Sequence, residues 1–226
     1  MSEKTKLWYL QNFNLLSGMD ERSMKELSQM THLKESTKKD IIYFPDQPSN
    51  TIYFLKEGKI KISRVGPDGR TTTLDLLGPG EIFGESAILG QTTHTNIAEA
   101  VEDTVICTIN RDMFEKMLEK NPLVNRSINK FIGFRLRKIQ THVEDLVFKN
   151  AQERIEAFLK RYAKSFGKKM VDGYRVRPFL AHQEIANLTA TARQTVNAVL
   201  NNLVEVGVIE YSRRYFHVKD INWLEN

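Results

Sequence analysis

The chain has 226 residues, of which 41% are hydrophobic and 27% charged, with a formal net charge of +5 at pH 7; this is the composition of a soluble globular chain long enough for two domains. No apolar run approaches the roughly 20 residues of a membrane span, and the Met-Ser-Glu-Lys start lacks a signal peptide's apolar region, so the cytoplasm is expected. The lone Cys107 excludes an intrachain disulfide or a multi-cysteine metal cluster, and His32, His94, His142, His182 and His217 lack metal-ligand spacing.

From Trp8 to Lys34, Leu10, Phe13, Leu15 and Leu16, then Met24, Leu27 and Met30, recur at helical spacing. Two short helices are predicted, the second capped by Asp20. From Thr37 to Arg111 the period changes to short strands: Ile41–Phe44, Thr51–Leu55, Lys59–Val65, Arg70–Leu77, Asn96–Ala100 and Val105–Ile109. Gly66-Pro67-Asp68-Gly69 is a hairpin turn, and strands at this spacing with glycine at the corners predict an antiparallel β-roll or jelly roll. Within it, Phe83-Gly84-Glu85-Ser86 opens a helix-like island. The amides of Gly84, Glu85 and Ser86 could meet an anion there, and Glu85 could accept from a sugar hydroxyl.

Asn121 to Phe148 reads as one long helix, with Pro122 in its first turn. Ile132, Leu136, Ile139, Val143 and Leu146 are alternately four and three apart, the seam of a two-stranded coiled coil; packing of this stripe on the chain's own β-roll is the alternative. Ala151 to Lys164 is amphipathic through Ile155, Phe158 and Leu159, and Ser165 to Arg177 is predicted to be a loop.

His182 to Val204 then reads as two short helices and a turn. Ile185, Ala186 and Leu188 give the first an apolar edge, and His182 and Gln183 at its start, with Thr191 at the turn, are further candidate DNA contacts. A capping box from Thr191 to Gln194 is predicted to open the second. Val196, Val199, Leu200 and Leu203 form its buried stripe, leaving Arg193, Gln194, Thr195 and Asn197 available for base edges and phosphates. Beyond Gly207, two runs of strand formers flank Ser212-Arg213-Arg214, a β-hairpin wing whose tip suits phosphate contact. Residues 149–226 hold 13 Lys plus Arg against 8 Asp plus Glu, whereas residues 1–148 hold 20 of each, so the net positive charge sits behind the long helix. An ordinary helical hairpin with a solvated polar face is the bland alternative.

This order of β-roll with an FGE island, long helix and winged helix-turn-helix resembles the family of the cyclic AMP receptor protein and the fumarate and nitrate reductase regulator. The resemblance implies an α+β chain with an effector-sensing roll over residues 1–120, a dimerisation helix over 121–148 and a DNA-binding domain over 149–226. It further implies a homodimeric activator that reads a palindromic operator in double-stranded DNA and touches RNA polymerase, with no enzymatic activity. Phe83, Gly84, Glu85 and Ser86 match the phosphate-binding cassette of the nucleotide-binding members. The arginine that follows in that cassette is replaced by His94, or by Thr93 if the gap shifts, with Thr95 behind it. Losing that charge-assisted bond costs about 1.5–3 kcal/mol, on the order of one to two decades of affinity.

On the long helix Arg135 belongs to the expected effector set, while the Thr-Ser pair that meets adenine in the cyclic AMP member is Ile139-Gln140 here. An iron–sulfur branch is excluded by cysteine count. The expected effector is therefore a small molecule other than cyclic AMP, either another cyclic nucleotide or an anion, or none at all. In the DNA-binding domain Arg193 matches the family's arginine at the start of the recognition helix, Gln194 replaces a glutamate, and Ala198 replaces a later arginine. Ala190 stands where glycine often permits the turn, which is tolerable if its φ stays negative. A nucleotide-binding module that controls an enzyme is the second functional reading.

Overall fold

In a computed structural model of the chain, residues 6–11, 13, 16 and 18–225 are described, apart from the side chains of Leu7, Trp8 and Glu85. The expected core position Leu15 lies outside them. Helices α1 (Lys6–Gln11) and α2 (Glu21–Met30) open the chain. Asp20 caps α2 as its position predicts, its carboxylate accepting from the Ser23 amide at 2.9 Å and the Ser23 hydroxyl at 2.8 Å.

Eight strands and one short helix follow: β1 (His32–Ser36), β2 (Ile41–Tyr43), β3 (Thr51–Glu57), β4 (Ile60–Val65), β5 (Thr71–Leu77), β6 (Ile82–Phe83), α3 (Glu85–Ile88), β7 (Ile97–Ala100) and β8 (Thr104–Asn110). They form two four-stranded sheets, ordered β1-β8-β3-β6 and β2-β7-β4-β5. The β-roll predicted from the strand spacing is thus present. Leu55, Ile60, Leu77, Phe83, Ala98 and Ile106 fill one apolar cluster, while Leu10, Phe13, Leu27, Ile52, Phe54, Cys107 and Phe114 belong to another. Each fully buried side chain of this size contributes about 1.5–3 kcal/mol. Strand β1 falls partly inside the stretch read as helical. Residues His32, Leu33, Lys34 and Glu35 are all exposed on an edge strand, so no alternation of burial marks it.

Helices α4 (Arg111–Lys120), α5 (Pro122–Phe148) and α6 (Ala151–Phe166) come next. No helix among the described residues is long and apolar enough to cross a membrane. Asn150 and Glu153 start α6 reciprocally: Asn150 Oδ1 accepts from the Glu153 amide at 3.0 Å, and Glu153 Oε2 from the Asn150 amide at 2.8 Å. The stretch Ser165–Arg177, predicted to be a loop, instead contains β9 (Lys168–Met170) and β10 (Gly173–Val176), paired antiparallel. All three residues of β9 are exposed on a sheet edge, where lysines are at home, and this hid the strand from a reading based on apolar pattern.

The chain ends with α7 (His182–Leu188), α8 (Arg193–Glu205), β11 (Ile209–Ser212), β12 (Tyr215–Val218) and α9 (Ile221–Glu225). Strands β11-β12-β10-β9 form one sheet, and Val196, Val199, Leu200 and Leu203 are buried as their spacing predicts. Gly207, at φ 77°, ends α8 in the left-handed conformation that glycine adopts without cost, and the Val208 amide closes the turn on Leu203 O at 3.0 Å. The chain divides into two compact units inside α5: the first holds Met1–Thr71 and Asp75–Lys138, the second Thr72–Leu74 and Ile139–Asn226.

Candidate nucleic-acid interface and effector site

In the second unit, α7 and α8 are joined by Thr189 to Ala192. The Thr189 hydroxyl is buried and donates to Ile185 O at 2.7 Å, while the Thr191 amide donates to Ala186 O at 2.9 Å. The predicted capping box at Thr191 is not formed. Helix α8 starts one residue later, its N-cap is Ala192, and the Thr191 hydroxyl instead lies 2.9 Å from that of Thr189. The box belongs at Thr191 only if the helix begins there, and an extended Ala192 (φ −87°, ψ 146°) prevents it. Ala190 departs from expectation too, with φ at 49°, so the turn carries a residue in the left-handed region without glycine's freedom.

A residue the sequence reading passed over holds this strained turn. Arg154, on α6, donates to Thr189 O at 2.9 Å, to Ala190 O at 3.1 Å and to Lys149 O at 2.8 Å. One guanidinium thus ties the end of α5 to the corner of the helix pair. An arginine on an amphipathic helix gives no sequence signal for such a role. A second tie is Asp145, which is buried and paired with Lys149 at 2.6 Å and Arg161 at 2.5 Å.

With the turn fixed, Arg193 and Gln194 are exposed at the start of α8, and Thr195 and Asn197 are half-buried. Gln183 is exposed on α7 and donates to Asn187 Oδ1 at 3.0 Å. His182 Nδ1 is hydrogen-bonded to Asn197 Oδ1. Asn201, one turn beyond Asn197 and absent from the predicted set, is exposed and accepts from the Tyr211 hydroxyl at 3.1 Å. The wing pairs Ser212 with Tyr215, so Arg213 and Arg214 form its exposed tip. The Arg214 amide donates to the Ser212 hydroxyl at 3.1 Å. Exposed arginines, amides and a helix start are chemistry suited to phosphates and base edges in a major groove.

In the first unit the FGE stretch is built on Gly84 (φ 83°). A Cβ there would lie 2.7 Å from Thr51 O and 2.7 Å from the Tyr53 ring, so glycine is required by packing alone. Phe83 and Ser86 are buried, and Phe83 stacks on Tyr53 with centroids 4.8 Å apart. The predicted sugar contact of the Glu85 side chain falls outside the described residues. His94 is 2% exposed and stacks on Tyr43 at 3.8 Å and 7°, whereas Thr95 is exposed. Burial pushes the Tyr53 phenol above its ordinary value.

Arg135 donates to Ile82 O at 3.0 Å, and one turn along α5 Lys138 pairs with Asp75 at 2.7 Å. Glu81, 3.9 Å from Lys138, is pushed up by burial, which outweighs that cation's opposing pull. Ile139 and Gln140, expected in the effector set, belong to the second unit and are exposed on α5. The seam side chains Ile132, Leu136, Ile139, Val143 and Leu146 are between 40% and 56% exposed.

Comparison with known proteins accounts for both halves. A model of the cyclic nucleotide-binding domain matches residues 33–121, and one of the Crp-like helix-turn-helix domain matches residues 153–226. The cyclic AMP receptor protein of Thermus thermophilus is 31% identical over 185 residues, covering 81% of this chain and 82% of its own length. The chain belongs to the Crp/Fnr family. Like other members of that family, it is a DNA-binding transcription regulator with a cyclic-nucleotide-binding-like sensor domain. The anaerobic regulatory protein of Bacillus subtilis is 27% identical over 209 residues, or 90% of this chain and 88% of that one. Among solved structures, a mutant of CooA from Carboxydothermus hydrogenoformans superposes with a TM-score of 0.74 at 27% identity, covering 95% of this Crp/Fnr chain and 94% of its own. The second reading, a module that governs an enzyme, finds no support among these relatives.

Proposed function

We propose that this Crp/Fnr protein is a homodimeric activator that reads a palindromic operator through α8 and the Arg213-Arg214 wing tip, gated by a small molecule other than cyclic AMP. The observation that carries the DNA reading is the Arg154-held turn, which leaves Arg193 and Gln194 exposed at the start of α8. A recognition helix enters the major groove by that end, where Arg forks onto guanine O6 and N7. The exposed seam from Ile132 to Leu146 supports a second copy as its cover, because an unburied apolar stripe at coiled-coil spacing is most stable against its own twin. In such a pair Ile132, Leu136, Ile139, Val143 and Leu146 form the interface, and the cytoplasm is the expected compartment. Contact with RNA polymerase follows from family membership.

The effector reading rests on His94. Where nucleotide-binding members use an arginine, this chain has an imidazole that is buried and stacked on Tyr43, and Thr95 offers only a hydroxyl. Cyclic AMP therefore lacks its phosphate cation, while the Gly84 turn and the α3 start still suit a smaller or differently charged ligand. Calorimetry with cyclic AMP should give no micromolar binding, and a micromolar isotherm overturns the effector reading alone. Titration of a genomic operator with Arg193→Ala should show a loss of about 1–3 kcal/mol against the parent; equal affinity removes Arg193 from the interface.

A further inference from the structure

Asparagine ordinarily recognises adenine in the major groove because one amide does two things: its oxygen accepts from N6–H and its nitrogen donates to N7. Of the three asparagines on the recognition helix α8, Asn197 and Asn201 lie one turn apart on the same flank. Each of these two has its oxygen engaged from outside the helix. Asn197 Oδ1 faces Nδ1 of His182, the first residue of α7, and Asn201 Oδ1 accepts from the Tyr211 hydroxyl of β11 at 3.1 Å.

The two capping groups are themselves held by one aromatic cluster. The His182 ring packs edge-on against Phe179, with centroids 6.1 Å apart at 67°, and against Tyr211, 5.5 Å apart at 64°. Tyr211 also packs on Phe179 at 5.6 Å, and buried Phe179 stacks on Phe216 at 5.1 Å and 15°. A carbonyl oxygen can only accept, so His182 Nδ1 carries the proton and donates. Each asparagine oxygen keeps a second lone pair. Bidentate pairing with adenine, however, needs the amide in the plane of the base, and the cap fixes that plane toward His182 or Tyr211 instead. The NH2 groups are what remains to present, and Arg193 at the head of the same helix also only donates.

We propose that the Phe179, His182 and Tyr211 cluster sets the base preference of this protein. By capping the oxygens of Asn197 and Asn201, it makes both asparagines favour the acceptor edges of guanine O6 and N7 or thymine O4 over adenine, whose N6 amino donor then finds no acceptor beside N7. The inference deepens the reading of α8 as the recognition helix and rests on it. His182 and Tyr211 are positioning residues that act through the two amides. Phosphate oxygens are acceptors as well, so the test must separate base from backbone.

The experiment uses the full chain and an operator selected from a random duplex pool. Every position of a half-site is replaced in turn by each base, by 7-deazaguanine where guanine is preferred, and by a methylphosphonate linkage. The parent should prefer guanine or thymine over adenine by at least about tenfold at two positions, and Asn197→Ala and Asn201→Ala should each erase one preference. Tyr211→Phe removes a single oxygen and His182→Phe keeps a ring in place. Each should admit adenine at the position its asparagine reads, leaving affinity for unrelated duplex within about twofold of the parent. Adenine preferred by the parent at those positions overturns the cap, as does an unchanged base profile in both phenylalanine variants. If the effect of Asn201→Ala follows the methylphosphonate and not the base, the donors sit on phosphate and the base-edge assignment fails. Binding with no base preference anywhere contradicts the reading of α8 itself, a different failure from that of the cap.

Discussion

Replacing Arg154 by alanine removes three hydrogen bonds at once, to Lys149 O, Thr189 O and Ala190 O, at 2.8, 2.9 and 3.1 Å. Each joins a charged donor to a neutral carbonyl, and such bonds are worth about 1.5–3 kcal/mol when well buried. The Arg154 side chain is only half-buried, and water can reach the freed carbonyls, so about 1 kcal/mol per bond, or about 2–3 kcal/mol in total, is the expected loss. For a unit of this size that corresponds to a fall in Tm on the order of 8–20 °C. The assay is thermal and urea unfolding followed by Trp223 fluorescence in a Trp8→Phe background, since Trp223 lies in the second unit beside Lys160. Arg154→Lys keeps the charge but cannot span three acceptors, and should fall between parent and alanine variant. Operator affinity should drop with stability, because the same bonds hold the corner that places Arg193. If Arg154→Ala unfolds within about 0.5 kcal/mol of the parent and binds DNA equally well, the clamp is not what holds the turn.

Three further outcomes follow from particular residues. Ala190→Gly trades about 1–2 kcal/mol of left-handed strain for about 0.5–1 kcal/mol of added chain entropy, so urea unfolding should show a gain of about 0.5–1 kcal/mol; a destabilised variant would mean the corner is not strained. The amine of Lys56 is buried with no hydrogen-bond partner, lies 3.6 Å over the Phe13 ring, and is pushed down to about 7 by burial. Between pH 7 and about 10.4 the unfolded chain then binds the extra proton, so stability should rise with pH by at most about 1.4 kcal/mol per unit. Lys56→Met should flatten that part of the pH profile, and identical profiles would show that the amine is solvated after all. Leu136→Glu places a charge in the exposed seam, so sedimentation should find a dimer for the parent and a folded monomer for the variant; a variant that stays dimeric would move the interface elsewhere.

Much of the roll and the helix pair was legible because burial there follows a period. Val196, Val199, Leu200 and Leu203 recur at helical spacing, and the strands of the roll are bounded by Gly and Pro turns. Edge strands β1 and β9 were hidden for the opposite reason, since exposed polar residues on a sheet edge carry no alternation. At the candidate DNA surface, residue type identified Arg193, Gln194 and the Arg213-Arg214 tip. It could not reveal that Asn197 is tied to His182 or that Arg154 spans 36 positions to reach Ala190, because those partners meet only through tertiary packing. The failed capping box at Thr191 shows how a one-residue shift in a helix start reassigns a hydroxyl.

Two copies of this chain are expected to present α8 to adjacent turns of duplex DNA. Selection of DNA from a random pool by the full chain, with the stoichiometry of the recovered complex measured at two salt concentrations, tests it most directly. The expected product is a pair of inverted half-sites centred about 10–10.5 base pairs apart, bound by two chains and weakened by added salt. A pool with no shared sequence, or a single half-site held by one chain, would contradict it.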